Sequence, residues 1–375
     1  MRLLVDCHIF DGKFQGARTY LQGLYQQMVK YSDIDFYFAA QNIERLKTCF
    51  GDNRNIHYIQ LKSCSGIKRL SLEFHKLIKE NFIDYAHYQY ISPLRKLSKE
   101  ILTIHDLLFL DYPSFFSRKY KCKNSFFFRR SARRADILLT VSEYSRNAII
   151  KHFNIPPSQI HVTPNAVLFS KLTNDNIDVK AKYGLDKYII TVSRIEPRKN
   201  HLALLKSFIE LKLYERGYKL VFVGEPDLTY KSFALFYLEL PQNIKDFILF
   251  LSVPYKELVE LYRNASLFVF PSFAEGFGIP PLEAIENNCL VLCSNATAMA
   301  EYHFPQEMSF APTNIDEMKR KMLFLLDNHF PLDDIKQELK KKYSWEKSAS
   351  ILYKLLLSDN HQPDLSVFKD SKKGG

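Results

Sequence analysis

The chain has 375 residues, of which 46% are hydrophobic and 25% are charged, so its length and composition favour a soluble protein with two globular domains. No run approaches the roughly 18 apolar residues that a membrane-spanning helix needs, and an early Asp6 disfavours a signal peptide. The formal net charge of +11 is uneven, because residues 1–170 contain 25 basic and 14 acidic residues whereas residues 171–375 contain 27 of each.

In the first half, short apolar runs alternate with amphipathic segments, which is typical of parallel strands joined by crossover helices. Strands are predicted at 3–6, 35–39, 56–61, 85–88, 101–104, 137–141 and 160–162, and helices at 17–30, 67–80, 117–133 and 143–153. Periodicity is lost near 165–180, where turn residues collect and a linker is expected.

The second half repeats the same alternation. The segment "KYIITVSR" (187–194) is predicted to be a strand that runs into a loop, and further strands are predicted at 220–223, 247–251, 267–270 and 289–292. Asn200 is expected to cap a helix. The predicted fold class is α/β, with two doubly wound domains at 1–170 and 171–344, a last helix at 345–360 and a disordered tail at 361–375. Ligands of such sheets bind beyond the carboxyl ends of the strands.

The segment "TVSRIEPRKN" (191–200) places Arg194 and Lys199 between a strand end and a helix start. Two cations beside a helix N-terminus suit a diphosphate, through charge-assisted hydrogen bonds and the helix dipole. A solvated basic turn is the alternative interpretation.

The segment "FPSFAEGFGIPPLE" (270–283) places Glu275 and Glu283 in an apolar, glycine-rich run, where an unpaired buried charge would be costly. The two prolines can begin a helix but cannot lie inside it. Glu275 is therefore expected in a loop and Glu283 in the first helical turn, both directed into one crevice. Gly276 and Gly278 would let the backbone approach a ligand closely. A turn acid and a helix-dipole acid are the alternative.

These two motifs together resemble those of the retaining glycosyltransferases of family 4, which have the two-domain GT-B fold. The resemblance extends to "TIHD" (103–106), "VSEYSR" (141–146) and "TPNAV" (163–167), so it covers most of the chain. The form "EPRKN" looks most like the mannosyltransferases of this family.

The resemblance implies a role for each matching residue. Arg194 and Lys199 would hold the donor diphosphate, Glu275 would contact the donor sugar near the reacting centre, and Glu283 would bind the ribose. His105 would bond a sugar hydroxyl across the interdomain cleft, and the loop of Gly276, Phe277 and Gly278 would also line the donor site. The family's adjacent glycine pair after the first strand is absent here, which leaves Gly16 as the candidate.

No cofactor or metal is expected. Asp33 and Asp35 form an Asp-x-Asp pair, but they stand at the entry of a strand, opposite the expected ligand side. The six cysteines lack both a CxxC pair and zinc-ligand spacing, so we interpret them as reduced core residues of a cytoplasmic protein.

Residues 95–134 contain eleven basic residues against three acids, interleaved with aromatics. A solvated helix face and a nucleic-acid site are alternatives to the interpretation we favour, an anionic membrane surface that receives a lipid-linked acceptor. The cations assigned to this surface are Arg118, Lys119, Lys121, Lys123, Arg129, Arg130, Arg133 and Arg134.

The sequence thus predicts a retaining, metal-independent hexosyltransferase that uses a nucleotide diphosphate sugar, GDP-mannose as the first choice. The acceptor would be a glycan, lipid-linked, in bacterial surface polysaccharide synthesis, and the enzyme would lie at the inner face of the plasma membrane. A GT-B nucleotide-sugar epimerase and a non-catalytic sugar-binding subunit of a membrane assembly complex remain as alternatives.

Overall fold

A computed structural model describes residues 1–12, 16–63, 65–168, 177–224 and 230–360. The tail predicted at 361–375 and part of the linker predicted at 165–180 lie outside these described residues. The domain limits therefore stay predictions.

The first half forms a seven-stranded sheet in which every neighbouring pair is parallel, in the order β3-β2-β1-β4-β5-β6-β7. Its strands are β1 (Arg2–Asp6), β2 (Asp35–Ala40), β3 (Ile56–Gln60), β4 (Tyr85–Gln89), β5 (Lys99–Thr103), β6 (Ile137–Thr140) and β7 (Ile160–Val162). Its helices are α1 (Gly16–Met28), α2 (Ile43–Phe50), α3 (Gly66–Lys68), α4 (Phe74–Glu80), α5 (Leu108–Asp111), α6 (Arg118–Arg134) and α7 (Glu143–Phe153).

The second half forms a six-stranded parallel sheet in the order β10-β9-β8-β11-β12-β13. Its strands are β8 (Lys187–Val192), β9 (Tyr218–Val223), β10 (Ile248–Leu251), β11 (Leu267–Phe270), β12 (Val291–Ser294) and β13 (Ser309–Phe310). Its helices are α8 (Val179–Tyr183), α9 (His201–Glu210), α10 (Lys231–Glu239), α11 (Gln242–Lys245), α12 (Tyr255–Asn264), α13 (Ile279–Glu286), α14 (Ile315–Asp327), α15 (Asp333–Lys342) and α16 (Trp345–Asn360).

Central strands of both sheets are largely buried because helices cover both faces. Strand β11, with the sequence "LFVF", is buried at every position, as is most of β8. The predicted fold class, two doubly wound α/β sheets, is confirmed. The order reverses at β1 and β4 in the first sheet and at β8 and β11 in the second, so each sheet has its crevice there.

The last helix returns to the first domain. A Cβ atom added at Gly23 of α1 would lie 2.1 Å from the Trp345 ring of α16, so helix and indole are in direct contact. Farther along α16, Tyr353 stacks on Tyr31 with ring centroids 3.9 Å apart, and Asp359 pairs with Lys99 at 2.8 Å. Helix α16 follows the second domain in the sequence, but it therefore packs against the first domain.

Local predictions needed correction at three places. The helix predicted at 67–80 is α3 and α4 joined by a π-helical turn, Arg69–Glu73. Asn200 stands at the N-cap position of α9, but its side chain bonds the carbonyl of Pro312 and caps no helical amide. Cys122, predicted in the core, is exposed on α6.

Candidate active site

The loops that follow β8 and β11 lie at the crevice of the second sheet, because these strands are neighbours at its topological switch point. The first loop contains residues 193–200 and the second contains residues 271–278. Both motifs singled out in the sequence are therefore brought to one edge.

Glu275 is the centre of a buried ion cluster. Its Oε1 accepts from Lys199 Nζ at 2.6 Å and its Oε2 accepts from Arg198 at 3.1 Å. Its backbone N–H donates to Thr297 Oγ1 at 2.9 Å. Burial alone would raise the pKa of this carboxyl, but the two cations outweigh burial and lower the pKa to about 2. Glu275 is thus a fixed negative charge.

Arg198 is a site residue that the sequence reasoning missed. Besides Glu275, its guanidinium bonds Glu196 at 2.7 Å and the carbonyl of Ala274. By contrast, Arg194 is exposed and makes no hydrogen bond or ion pair with the described residues. The signal that could have revealed Arg198 is its position directly beside Lys199 in a short helical turn, Pro197–Lys199.

Gly276 joins the second domain to the first. A Cβ atom at this position would lie 2.6 Å from the Asp106 Cβ and 2.9 Å from the carbonyl oxygen of His105. The Gly276 carbonyl accepts from the hydroxyls of Ser142 at 2.7 Å and Ser145 at 3.2 Å. The segments "TIHD" and "VSEYSR" therefore meet the Glu275 loop across the cleft.

His105 follows β5 at the carboxyl edge of the first sheet and is 7% exposed. Burial lowers the pKa of this imidazole to about 3, so the ring is neutral at physiological pH. Its Nε2 bonds Gln89 Oε1 at 2.6 Å, and Tyr20 and Tyr90 pack against the ring. Its Nδ1 has no hydrogen-bond partner within the described parts of the chain.

Glu283 was predicted in the first helical turn, but in the structure it is the fifth residue of α13. It accepts a hydrogen bond from Tyr262 of α12 at 3.2 Å, and no ion pair to it occurs among the described residues. Burial raises the pKa of this carboxyl to about 7. The two glutamates of the motif therefore have opposite electrostatic environments, one permanently charged and one near its titration midpoint at neutral pH.

The remaining donor-site candidates, Gly278, Phe277 and Gly16, have different surroundings. Gly278 has φ +93°, and a Cβ there would lie 3.0 Å from the Tyr302 hydroxyl. The Phe277 ring packs between Tyr302 and Tyr343, so its side chain contributes to the core. Gly16 begins α1, where a Cβ would meet nothing within 4 Å.

Some basic residues of α6 bond carbonyl groups of the first domain, and the others are exposed without such a bond to the described residues. Arg130 and Arg134 bond the carbonyls of Pro93 and Leu94, and Arg134 also pairs with Glu100 at 3.3 Å. They hold a loop of their own domain, so they are not free surface cations as the sequence interpretation had assumed. Arg133 and Lys121 bond the carbonyls of Phe153 and Pro113. The cations of α6 that are exposed and make no bond to the described chain are Arg118, Lys119, Lys123 and Arg129.

The Asp-x-Asp pair lies where the sequence places it. Asp35 is the first residue of β2, at the edge opposite the cleft, and Asp33 accepts from the Tyr353 hydroxyl at 3.0 Å.

Among the residues that the structure describes, no helix is both long and apolar enough to cross a membrane.

Two parallel-sheet domains that face each other across a cleft form the GT-B fold of glycosyltransferases. Comparison with known proteins agrees. Residues 15–168 match the description "Glycosyltransferase Family 4", and residues 173–343 match "Glycosyl transferases group 1".

The chain is also similar in sequence and in fold to individual named proteins. It is 30% identical to an O-antigen chain mannosyltransferase of Escherichia coli over 298 residues, 73% of this chain and 76% of that one. It is 32% identical to an O-antigen chain mannosyltransferase of Salmonella typhimurium over 207 residues, 55% of this chain and 54% of that one. In fold it resembles a sucrose-phosphate synthase of Thermosynechococcus elongatus, with TM-score 0.72 and 15% identity, over 95% of this chain and 99% of that one. The chain belongs to glycosyltransferase family 4.

Proposed function

We propose that this glycosyltransferase moves a hexose from a nucleotide diphosphate sugar to a glycan acceptor, with retention of anomeric configuration and without a metal. The observation that carries the proposal is Glu275, buried in the cleft and held by Lys199 and Arg198 at 2.6 and 3.1 Å. GDP-mannose is the first choice of donor, since the relatives from Escherichia coli and Salmonella typhimurium are named mannosyltransferases.

The charges around Glu275 suit a departing diphosphate. Arg194 is exposed at the end of β8 and is not engaged within the described chain, so it is available to phosphate oxygens. Lys199, in the same loop and paired with Glu275, adds a second cation. Positioned cations stabilise negative charge that develops in the transition state, which is the task a metal would otherwise perform.

The reaction proposed is a front-side displacement. The bond between the anomeric carbon and the phosphate oxygen breaks, the acceptor hydroxyl oxygen bonds to the same face of that carbon, and the hydroxyl proton goes to the departing phosphate. Glu275 would fix the donor sugar, and its permanent charge would favour the positive charge that builds on the anomeric carbon. His105 would accept from a sugar hydroxyl, and Glu283 would bind the ribose.

The acceptor side is the basic first domain. Helix α6 carries exposed cations and also Phe126, which is 65% exposed, and Leu94, whose carbonyl bonds Arg130, is 70% exposed. Cations with exposed apolar side chains suit the headgroup layer of an anionic membrane. We therefore assign a lipid-linked glycan as acceptor, in bacterial surface polysaccharide synthesis at the inner face of the plasma membrane.

The test is incubation of the purified protein with GDP-mannose, with and without a lipid-linked glycan acceptor. Release of nucleoside diphosphate that depends on the acceptor supports transfer. An epimerised sugar nucleotide formed from donor alone would establish the epimerase instead, and binding without turnover would establish a sugar-binding subunit.

The same assay tests Glu275. Glu275→Gln should lower kcat by roughly 10²–10³, or about 2.7–4 kcal/mol, as does loss of one group that stabilises the transition state. The matched control is Glu307→Gln, which changes an exposed glutamate of the same domain. Normal turnover by a folded Glu275→Gln protein would remove the assigned role.

A further inference from the structure

A chain of buried polar side chains runs beneath His105. His87 and Gln89 alternate along β4 and so share one face of the sheet, and His105 follows the neighbouring strand β5. The contacts are His105 Nε2 to Gln89 Oε1 at 2.6 Å, Gln89 Nε2 to His87 Nε2 at 3.3 Å, and His87 Nδ1 to the Tyr25 hydroxyl at 2.6 Å. His87 is completely buried and Gln89 is 7% exposed.

The amide of Gln89 gives this chain a direction. A carboxamide oxygen only accepts and a carboxamide nitrogen only donates. With the Gln89 carboxamide oriented as in this structure, His105 Nε2 carries a proton and His87 Nε2 accepts. Burial lowers the pKa of both imidazoles to about 3, so each ring is neutral and has one N–H. In this tautomer His87 donates from Nδ1 to the Tyr25 hydroxyl. Thr103 Oγ1, which has one hydroxyl proton, lies 2.8 Å from His87 Nε2 and 3.4 Å from the Tyr20 hydroxyl.

At the cleft end of this series of polar side chains, the Nδ1 atom of His105 has no partner among the described residues. A neutral imidazole with a proton on Nε2 has a lone pair on Nδ1, and no described residue bonds this atom of His105. The backbone of His105 is fixed as well, because its carbonyl accepts from Ser145 Oγ at 2.8 Å. The ring therefore presents an acceptor, not a donor, beside the Glu275 loop.

We propose that Gln89 is a positioning residue that fixes His105 in the Nε2–H tautomer, so that Nδ1 accepts a hydrogen bond from a hydroxyl group of the donor sugar. The role of His105 toward the sugar rests on the proposed function, whereas the tautomer does not. A sugar lacking that hydroxyl would cover this acceptor and leave it unpaired, which selects strongly against deoxy donors.

The direct test is ¹⁵N NMR of the full-length protein labelled in its histidines, with the His105 signal assigned by its loss in His105→Ala. The expected result is protonated Nε2 and unprotonated Nδ1 across neutral pH. A protonated Nδ1 would overturn the proposal without any reference to activity.

Two variants add a functional readout. Gln89→Met keeps the volume but removes the strong acceptor, so the Nδ1–H tautomer should become populated and kcat/KM should fall about tenfold, as for one lost hydrogen bond. Gln89→Glu keeps an acceptor for the Nε2–H and should retain both the tautomer and more activity than Gln89→Met. Gln60→Met, on β3 of the same sheet and exposed, is the matched control.

The outcomes separate the two proposals. If the wild-type protein transfers sugar and Gln89→Met changes neither tautomer nor kcat/KM, only the positioning role is wrong. If the wild-type protein transfers no sugar while His105 shows the Nε2–H tautomer, the proposed function fails and the tautomer assignment stands. Should Gln89→Met not fold, the wild-type NMR spectrum alone decides.

Discussion

Two arginines of the loop after β8 have different surroundings and therefore different expected roles. Arg198 is engaged with Glu275 and Glu196, whereas Arg194 is exposed. We expect Arg194→Ala to lower kcat/KM for the nucleotide sugar about tenfold or more, since hydrogen bonds between charged groups are strong, and to leave stability unchanged.

Arg198→Ala should behave in the opposite way. It leaves the buried Glu275 with one cation instead of two, and breaking a buried ion pair costs roughly 3–5 kcal/mol. Urea denaturation and donor kinetics of both variants check this difference. If Arg194→Ala is the destabilised variant, the two assignments must be exchanged.

Glu283 predicts a pH dependence of stability. Burial raises the pKa of this carboxyl from 4.5 to about 7, so between these values the native state holds a proton that the unfolded state has lost. The stabilising contribution is therefore complete below pH 4.5 and disappears as pH rises through 7. At about 1.4 kcal/mol for each pKa unit, the loss is at most about 3.5 kcal/mol.

The measurement is urea denaturation at pH 5 and pH 8. Glu283→Gln is the matched variant, because glutamine mimics the protonated acid and still accepts from Tyr262. The free energy of unfolding of the wild-type protein should fall more between the two pH values than that of Glu283→Gln. Equal falls would show that Glu283 does not titrate in this range.

At the residue scale, the sequence shows which residues of the site are charged, but not which of them form ion pairs. Glu275 stands out because an acid in an apolar, glycine-rich run needs a partner. Which of the three cations in 194–199 pair with it depends on the helical turn Pro197–Lys199, which directs both Arg198 and Lys199 to the carboxylate. Gln89 gave no signal, since a polar residue in a strand becomes informative only when its neighbours in the sheet are known.

At the element scale, prediction succeeded where burial dictates pattern. The strands that both helical layers cover read as apolar runs, and each was found. The two-residue strand β13 and the division of the helix predicted at 67–80 were missed, because the pairing of a very short strand and a π-helical turn depend on packing and not on periodicity. On α6 the sequence showed the cations, whereas only the structure shows that Arg130 and Arg134 hold residues 93 and 94.

Helix α6 yields a membrane prediction that uses only its free cations. Lys119→Glu, Lys123→Glu and Arg129→Glu combined should reduce binding to vesicles containing phosphatidylglycerol at least roughly 100-fold, since each cation near an anionic surface contributes about 1 kcal/mol. Co-sedimentation measures the binding, and activity on a soluble acceptor should survive.

A triple variant of equal charge change is the control for α6. Lys180→Glu, Lys231→Glu and Lys354→Glu alter exposed lysines outside this helix, so the net charge falls equally and vesicle binding should fall much less. Equal effects of the two triple variants would attribute binding to net charge alone. No effect of the α6 variant would return the helix to the solvated-face interpretation.

At the scale of the whole molecule, the cleft depends on how closely the two domains approach at one glycine. Gly276 Cα lies against His105 and Asp106, and an added Cβ would come within 2.6 Å of the Asp106 side chain and 2.9 Å of the His105 carbonyl. These atoms belong to the strand end that holds His105, so the domains must separate to admit a methyl group.

Gly276→Ala should therefore lower kcat/KM roughly 100-fold, as a displacement near 1 Å of aligned reacting groups can do, while both domains stay folded. Small-angle scattering should show a larger radius of gyration for this variant in the presence of donor, and circular dichroism should be unchanged. Gly66→Ala is the control, because a Cβ there meets nothing within 4 Å. Wild-type activity of Gly276→Ala would mean that sugar transfer takes place with the domains farther apart than in this structure, and that the close approach of Gly276 to His105 and Asp106 is not the reacting arrangement.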